Sequence, residues 1–303
     1  MSDANLSDPN LIVVLGATAS GKTKLAVQLA KRCSGEIISA DSRQVYRGLD
    51  IGSGKDLDEY DGVPYHLIDV VDPGYEFSVY DYQRRFLDVF MMLSANGVMP
   101  VLAGGTGLYL DAVLKGYHFV EAPQNVELRA ELSGLKSEVL VDRLLQLQPK
   151  QHNTTDTDNR DRLMRAIEIA LAEKSANVDR EPYPTITPFI IGIHWDRAKL
   201  RERITLRLKQ RLDNGLIEET QGLHDAGLSW EVLDFFGLEY RYVGQFLQEK
   251  INRNDLFQKL NAEIHRFAKK QDTWFRRMER KGAQIHWVEG EGDPFKQATR
   301  LMV

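Results

Sequence analysis

The stretch that most constrains what this chain can fold into is LIVVLGATASGKT, residues 11–23. A short apolar run, Leu11 to Leu15, breaks at Gly16 and is followed at fixed spacing by Gly21, Lys22 and Thr23, matching G-x-x-x-x-G-K-[ST]. The KLAVQLAKRC that follows puts Leu25, Leu29 and Cys33 on one helical face, so strand, loop and helix are predicted in immediate succession. In such a loop the backbone amides and the helix N-terminus face a phosphate. Glycine permits its close approach, Lys22 supplies a point charge, and the Thr23 hydroxyl can hold Mg²⁺. The candidate phosphate-binding residues are therefore Gly16, Ala17, Thr18, Ala19, Ser20, Gly21, Lys22 and Thr23, with Thr23 the candidate metal ligand. The alternative is a plain strand-to-helix turn with a surface lysine, and the motif alone does not say which phosphate is held.

A length of 303 residues allows one large α/β core or a core with a smaller domain. The apolar share of 43% and charged share of 27% are those of an ordinary soluble protein. No apolar run approaches the ~20 residues a bilayer requires, and residues 1–10 form a polar leader without a basic n-region. A cytoplasmic protein without membrane contact is expected. Cys33 is the single cysteine, which excludes an internal disulfide or zinc cluster, and its apolar stripe predicts a core position. The net charge of −5 argues against a nucleic-acid partner until the charge is located. Residues 197–211 hold seven Lys/Arg against one acid, and residues 250–281 hold ten against four. Such runs form either a solvated helix face or a polyanion-binding surface, and charge alone does not choose.

Taken in order, GEIISADSRQ predicts a second strand, Glu36 to Ser39, that delivers Asp41, Ser42, Arg43 and Gln44 into the loop beyond it. In an open parallel sheet, ligands bind outside the carboxyl ends of the strands, which aims Asp41 at the crevice of the phosphate loop. An Asx-turn or helix cap is the structural alternative for Asp41. A strand near Tyr65–Asp69, a helix near Val79–Ser94 and a buried strand MPVLAG follow, the last emptying into Gly104, Gly105, Thr106 and Gly107. Strands alternating with helices predict an α/β fold, a doubly wound parallel sheet, as the first part of the core over residues 1–121. Residues 122–185 have helical periodicity and read as an insertion. Residues 186–303 return to the sheet through FIIGIHW, then run helical over 197–226, about 238–249 and about 254–281, with AQIHWVE as a further edge strand.

GATASGKT, IISADSRQVYRGLDIG, HLIDVVDP, PVLAGGTGLY, DRLMRAIEI and KKQDTWFRR resemble, in that order, the motifs of the tRNA dimethylallyltransferases (tRNA isopentenyltransferases) across residues 11–288. The chain departs from the family pattern at four places. Ala17 stands where proline is usual, Ser53-Gly54 where Thr-Ala is usual, Asp158-Asn159 where Asn-Asp is usual, and Glu239-Tyr240-Arg241 where Gly-Tyr-Arg is usual. The resemblance implies transfer of the dimethylallyl group of dimethylallyl diphosphate to the exocyclic amine of the adenosine 3′ to the anticodon. The loop would then cradle a diphosphate leaving group with Mg²⁺ on Thr23. The same resemblance makes Asp41 the base that accepts the amine proton, sets Thr106 between diphosphate and base, and makes Arg207 a diphosphate clamp. It assigns the tRNA anticodon stem-loop to Asp41, Ser42, Arg43 and Gln44, to Arg162 and Arg165 of the insertion, and to Lys269, Lys270, Gln271, Arg276 and Arg277. Trp274 reads as a core anchor in preference to a stacking platform. A monomer is expected.

Three other readings share some of these features. A small-molecule P-loop kinase would share the loop and sheet but needs neither the DSRQ stretch nor a basic C-terminal helix. An adenylate isopentenyltransferase would share the donor, but a free nucleotide needs neither the insertion nor the basic helix. A non-catalytic RNA-binding module has no use for Lys22, Thr23 and Asp41 together.

Overall fold

The apolar run Leu11–Gly16 forms strand β1, buried along its whole length, and the sheet extends from it on both sides. The computed structural model describes residues 8–117, 119–148, 159–175 and 183–302. Residues 1–7 of the polar leader, Asp158, and residues 180–182 of the loop before the returning strand lie outside the described residues. The chain divides into two compact units, one formed by residues 1–116 and 185–303, the other by residues 117–184.

In the larger unit, β1 is followed by α1 (Lys22–Cys33), β2 (Glu36–Ala40), β3 (Tyr65–His66), α2 (Val79–Ala95), β4 (Pro100–Gly104) and α3 (Gly107–Leu114). The smaller unit contains α4 (Val126–Ser133), α5 (Ser137–Leu147) and α6 (Arg160–Ser175). The chain then re-enters the larger unit as β5 (Pro188–His194), α7 (Arg197–Asp213), α8 (Leu216–Asp225), α9 (Trp230–Phe235), α10 (Leu238–Leu247), α11 (Arg253–Arg280), β6 (Ile285–Glu289) and α12 (Pro294–Leu301). The strand order is β3-β2-β4-β1-β5-β6, and every pairing is parallel. This is the doubly wound sheet that the alternating pattern predicts.

A parallel sheet covered on both faces reads as continuous apolar strands, and β1 shows why. Leu11, Val13 and Leu15 face a cluster built from Tyr82, Phe86 and Phe90 of α2, Leu110 of α3, and Phe275 of α11. Ile12 and Val14 face the opposite way, onto Leu25, Ala26 and Leu29 of α1. A third cluster lies among the C-terminal helices, where Leu200, Ile204 and Leu208 of α7 meet Leu256, Leu260 and Ile264 of α11. Among the described residues no helix is long and apolar enough to cross a membrane.

Three elements differ from the periodicity reading. The third strand stops after two residues because Leu67 and Asp69 take positive φ values of 62° and 55°, which turn the chain out of the ladder. The single helix expected over 197–226 is two, broken at Gly215 with φ 102°, a conformation that suits glycine. The edge strand β6 pairs with β5 and is followed by α12, an amphipathic helix whose eight residues were too few to stand out.

In the smaller unit, Leu132, Leu140, Leu144, Leu163 and Ile167 form the core. At its edge Glu168, nearly inaccessible, accepts from Arg129 at 2.8 and 3.0 Å, from Arg165 at 3.0 Å and from the Asn125 N–H at 3.0 Å. Desolvation pushes the Glu168 carboxyl up, but the Arg129, Asn125 and Arg165 hydrogen bonds outweigh it and hold the group below its ordinary value. A carboxyl lowered by folding contributes stability above its unfolded pKa and loses it as pH falls through the folded one. Glu168→Ala is expected to cost this unit about 2–3 kcal/mol at neutral pH, at or below the ~3–5 kcal/mol of a fully buried broken pair because both arginines are partly exposed. Hydrogen exchange over α4 and α6 reads this cost, and the gap to the wild type should close on acidification.

Candidate active site

The site follows from strand register. Leu15 of β1 and Ala40 of β2 both lie opposite Gly104 of the intervening β4. Three loops therefore leave the carboxyl edge of the sheet side by side: the phosphate loop after β1, Asp41 after β2, and Gly105-Thr106 after β4. They are tied together by backbone and side chain. The Thr106 N–H donates to the Ala40 carbonyl at 3.2 Å, and the Ser42 N–H donates to Thr106 Oγ1 at 3.1 Å. Asp41 Oδ1 accepts from the Arg43 N–H at 2.9 Å, which fixes the carboxylate in an Asx-type turn at the crevice.

The phosphate loop is held from behind. Gly21, at φ 88°, occupies the N-cap of α1 without a side-chain cap, so the first amides of α1 stay available at the helix N-terminus. Two loop carbonyls are drawn the other way: Arg203 Nε donates to Ala19 O at 2.8 Å and Trp195 Nε1 donates to Ser20 O at 2.9 Å. The Arg203 guanidinium lies over the Trp195 ring at 4.3 Å. The side chains of Ala17 and Ala19 pack into the cluster of α7 and α11. Gln271 of α11 completes the support. Its Oε1 accepts from the Thr18 N–H at 2.8 Å and its Nε2 donates to the Gly105 carbonyl at 2.9 Å, joining the loops after β1 and β4. A Cβ at position 105 would lie 2.4 Å from that Nε2, which accounts for glycine there.

The loop faces concentrated positive charge. Burial lowers the Lys22 ammonium to about 8; Asp41 opposes the shift, while Arg207 and Arg211 add to it. Arg203, Arg207 and Arg211 recur every four residues on α7 and so share one helix face. Arg207 pairs with Asp56, and Arg211 with Glu239 at 3.4 Å. The basic run over 197–211 yields Arg207 by resemblance, but Arg203 and Arg211 were missed; their i, i+4, i+8 spacing in RERITLRLKQR was the available signal. Among the described residues no group of three or more His, Cys, Asp or Glu could hold a metal. The Thr23 hydroxyl, in the first turn of α1, would be the protein ligand for a divalent cation held with a phosphate. The Ser20 hydroxyl, buried and without a partner among the described residues, is a further polar atom at the loop.

Two residues expected on the RNA side also make hydrogen bonds inside the protein. Gln44 is buried, its Oε1 accepting from Ser39 Oγ at 2.8 Å and its Nε2 donating to Gly54 O at 3.0 Å. Gln271 is the loop fastener described above. In both, the amide braces a neighbouring loop through one donor and one acceptor bond, with one N–H and one lone pair of the carboxamide beyond those bonds. Arg43 is half-buried, with its guanidinium 5.0 Å from the centroid of the Phe235 ring. Lys269, Lys270 and Arg276 are exposed on α11, and Arg277 lies 5.5 Å from the Trp274 ring. Trp274 anchors to the core, its indole N–H donating to Asp111 Oδ2 at 3.0 Å. In the smaller unit Arg162 is exposed, whereas Arg165 is engaged with Glu168.

Sheet and loop define a P-loop α/β protein. The family described as IPP transferase matches residues 44–278, and that described as isopentenyl transferase matches residues 9–62. The chain belongs to the IPP transferase family and is a transferase. It is 58% identical to tRNA dimethylallyltransferase 2 of Trichlorobacter lovleyi over 98% of this chain and 97% of that one. Identity to tRNA dimethylallyltransferase 1 of Geotalea uraniireducens is 57%, covering 97% of each. Among solved structures, the tRNA isopentenylpyrophosphate transferase of Bacillus halodurans superposes with a TM-score of 0.70 at 34% identity, covering 96% of this chain and 94% of that one. A eukaryotic dimethylallyltransferase acting on tRNA, at 21% identity and TM-score 0.75 over 94% of this chain and 74% of its own, shares the fold.

The double role of Gln271 generates a test. Gln271→Leu removes two hydrogen bonds worth about 1 kcal/mol each and is expected to raise the Kd for inorganic diphosphate roughly tenfold. Titration calorimetry measures it. An unchanged Kd would show that the loop keeps its shape without this amide.

Proposed function

We propose that the protein transfers the dimethylallyl group of dimethylallyl diphosphate to the exocyclic amine of the adenosine 3′-adjacent to the anticodon of tRNA. The observation that carries the reading is the register that sets the phosphate loop, Asp41 and Thr106 on the ends of three neighbouring strands. The donor's diphosphate rests against the loop amides and Lys22, with Arg207 beside them. The adenine amine approaches from the Asp41 side. As nitrogen attacks the allylic carbon a C–N bond forms, the C–O bond to diphosphate breaks and its electron pair leaves with the diphosphate oxygen. Asp41 takes the amine proton; a positioned base of this kind is worth about 10²–10⁴ in rate. The loop amides, Lys22 and Arg207 stabilise the charge that accumulates on the leaving group. Mg²⁺ bound at Thr23 would add to that neutralisation. An enzyme that modifies a base takes it out of the stack, which suits a target in a single-stranded loop.

The adenylate isopentenyltransferase reading shares this chemistry. The exposed Lys269, Lys270 and Arg276 of α11 and Arg162 of the smaller unit favour a polyanionic acceptor over a free nucleotide. Nucleoside analysis of tRNA after incubation with the protein, dimethylallyl diphosphate and Mg²⁺ is expected to show dimethylallylated adenosine at the anticodon-flanking position. Asp41→Asn is expected to slow single-turnover transfer by about 10² or more with donor binding retained. Unchanged transfer would reduce Asp41 to the turn residue that accepts the Arg43 N–H.

For the RNA side, each phosphate contact contributes about −0.7 to −0.9 to the log–log salt slope of binding. Neutralising Lys269, Lys270 and Arg276 together is expected to flatten that slope by about two units, with little dependence on anticodon sequence. A slope equal to that of the wild type would make this side of α11 a solvated face.

A further inference from the structure

Two of the places where the chain departs from the family pattern meet in space. Glu239, where glycine is usual, sits at the start of α10 and accepts from Arg211 of α7 at 3.4 Å. Gly54, where alanine is usual, lies directly beneath the same guanidinium. A Cβ at position 54 would fall 1.8 Å from Arg211 Nη2 and 2.9 Å from Arg207 Nη2. The backbone there has φ 67°, in the region that favours glycine. Gly54 thus provides the space in which two guanidiniums lie side by side, and both lie close enough to Lys22 to act on its ammonium.

An ion pair whose purpose is fastening would bring its carboxylate square onto the guanidinium, bidentate and at about 2.7–2.9 Å. Here Glu239 touches Arg211 through one contact at 3.4 Å, and the Arg211 and Glu239 side chains are only 12% and 18% exposed. A guanidinium has five N–H donors, so this contact orients Arg211 without consuming it. Each guanidinium has one carboxylate partner, Asp56 for Arg207 and Glu239 for Arg211, and each keeps further N–H donors for the oxygens of an anion. A diphosphate carries the charge and the oxygens to engage them.

We propose that Arg211 is a further binding residue for the donor's diphosphate, with Glu239 holding its guanidinium in reach and Gly54 providing the room. The inference rests on the donor reading above and adds a cation to Lys22 and Arg207. Arg211 then engages the leaving group, so it contributes to donor affinity and to charge development together.

Titration calorimetry with inorganic diphosphate, with and without Mg²⁺, tests this on the full chain. The wild type is expected to bind, and Arg211→Met is expected to raise the Kd about tenfold and the KM for dimethylallyl diphosphate in parallel, with tRNA affinity unchanged. Should that variant fold poorly because Glu239 is left unpaired, Arg211→Met/Glu239→Gln removes both charges and carries the same expectation. Glu239→Gln alone retains an acceptor and the free cation, and its Kd is expected to match the wild type or fall below it. Wild-type affinity in a folded variant lacking Arg211 overturns the proposal while leaving the donor reading intact. So does a Glu239→Gln loss as large as that of Arg211→Met, since it would show that the pair acts as a fastening. A wild type that binds no diphosphate and transfers no prenyl group overturns the donor reading, and this inference with it.

Discussion

A phosphate loop works only if its amides point at the ligand, and that requires its carbonyls and remaining polar groups to be satisfied on the far side. Nearly every C-terminal element of the larger unit contributes to this requirement. Arg203 and Trp195 take the carbonyls of Ala19 and Ser20, Gln271 takes the amide of Thr18, and Ala17 and Ala19 are wedged among Ile204, Leu208 and Ala268. The alanine at position 17 has a physical role here: its methyl group is buried, so the helices α7 and α11 hold the loop by contact as well as by hydrogen bond.

The tripeptide Ser-Gly-Lys occurs twice, at residues 20–22 and 53–55, and the two lysines have opposite surroundings. Lys55 is buried and neutralised: it donates to the Tyr46 carbonyl at 2.8 Å, to Asp50 at 2.6 Å and to Asp69. The loop before it is clasped by Glu219 of α8, whose carboxylate accepts from the N–H groups of Asp50, Ile51 and Gly52 and from the Tyr240 hydroxyl. Each charge in that loop is matched by a fixed partner, and the loop is rigid scaffolding behind Gln44 and Arg43. Lys22 has no carboxylate or carbonyl bond of that kind among the described residues: burial lowers its ammonium, with Asp41 and Glu59 opposing the shift and Arg207 and Arg211 adding to it. The same three residues therefore make a structural pin where acids surround them and a ligand site where cations do.

What the sequence made legible was whatever lay on the chain's own periodicity. The strands β1, β2, β4 and β5, the loop and helix α1, and the long α11 are continuous patterns of apolar spacing, and each stands where that spacing puts it. The strand expected near Tyr65–Asp69 shortens to Tyr65–His66, because positive φ at Leu67 and Asp69 has no signature in hydrophobicity. Asp41 could be placed at the crevice by strand polarity alone, and Lys22 by motif. The internal bonds of Gln44 and Gln271 could not be read, since an amide that bonds a neighbouring loop and one that reads a base look alike in sequence. The Thr18 to Gln271 contact spans 253 residues of chain, a separation over which spacing carries no information. Arg203 and Arg211 lie between these cases. Their helical phase was present, but a run with so many basic residues conceals which of them turn inward.

The position of Gln271 on α11 also sets an order on how the molecule comes to be complete. Synthesis delivers residues 16–23 early and residue 271 some 250 residues later, and the strand β6 that closes the sheet's edge later still. A nascent chain that has folded β1, α1, β2 and β4 owns a phosphate loop whose Thr18 amide and Gly105 carbonyl are not yet joined. Only when α11 has emerged and docked does the loop acquire its brace, so this helix brings the surface that carries Lys269 and Lys270 and the fastening of the loop in the same step. The brace of the loop and the face that carries Lys269 and Lys270 thus leave the ribosome together.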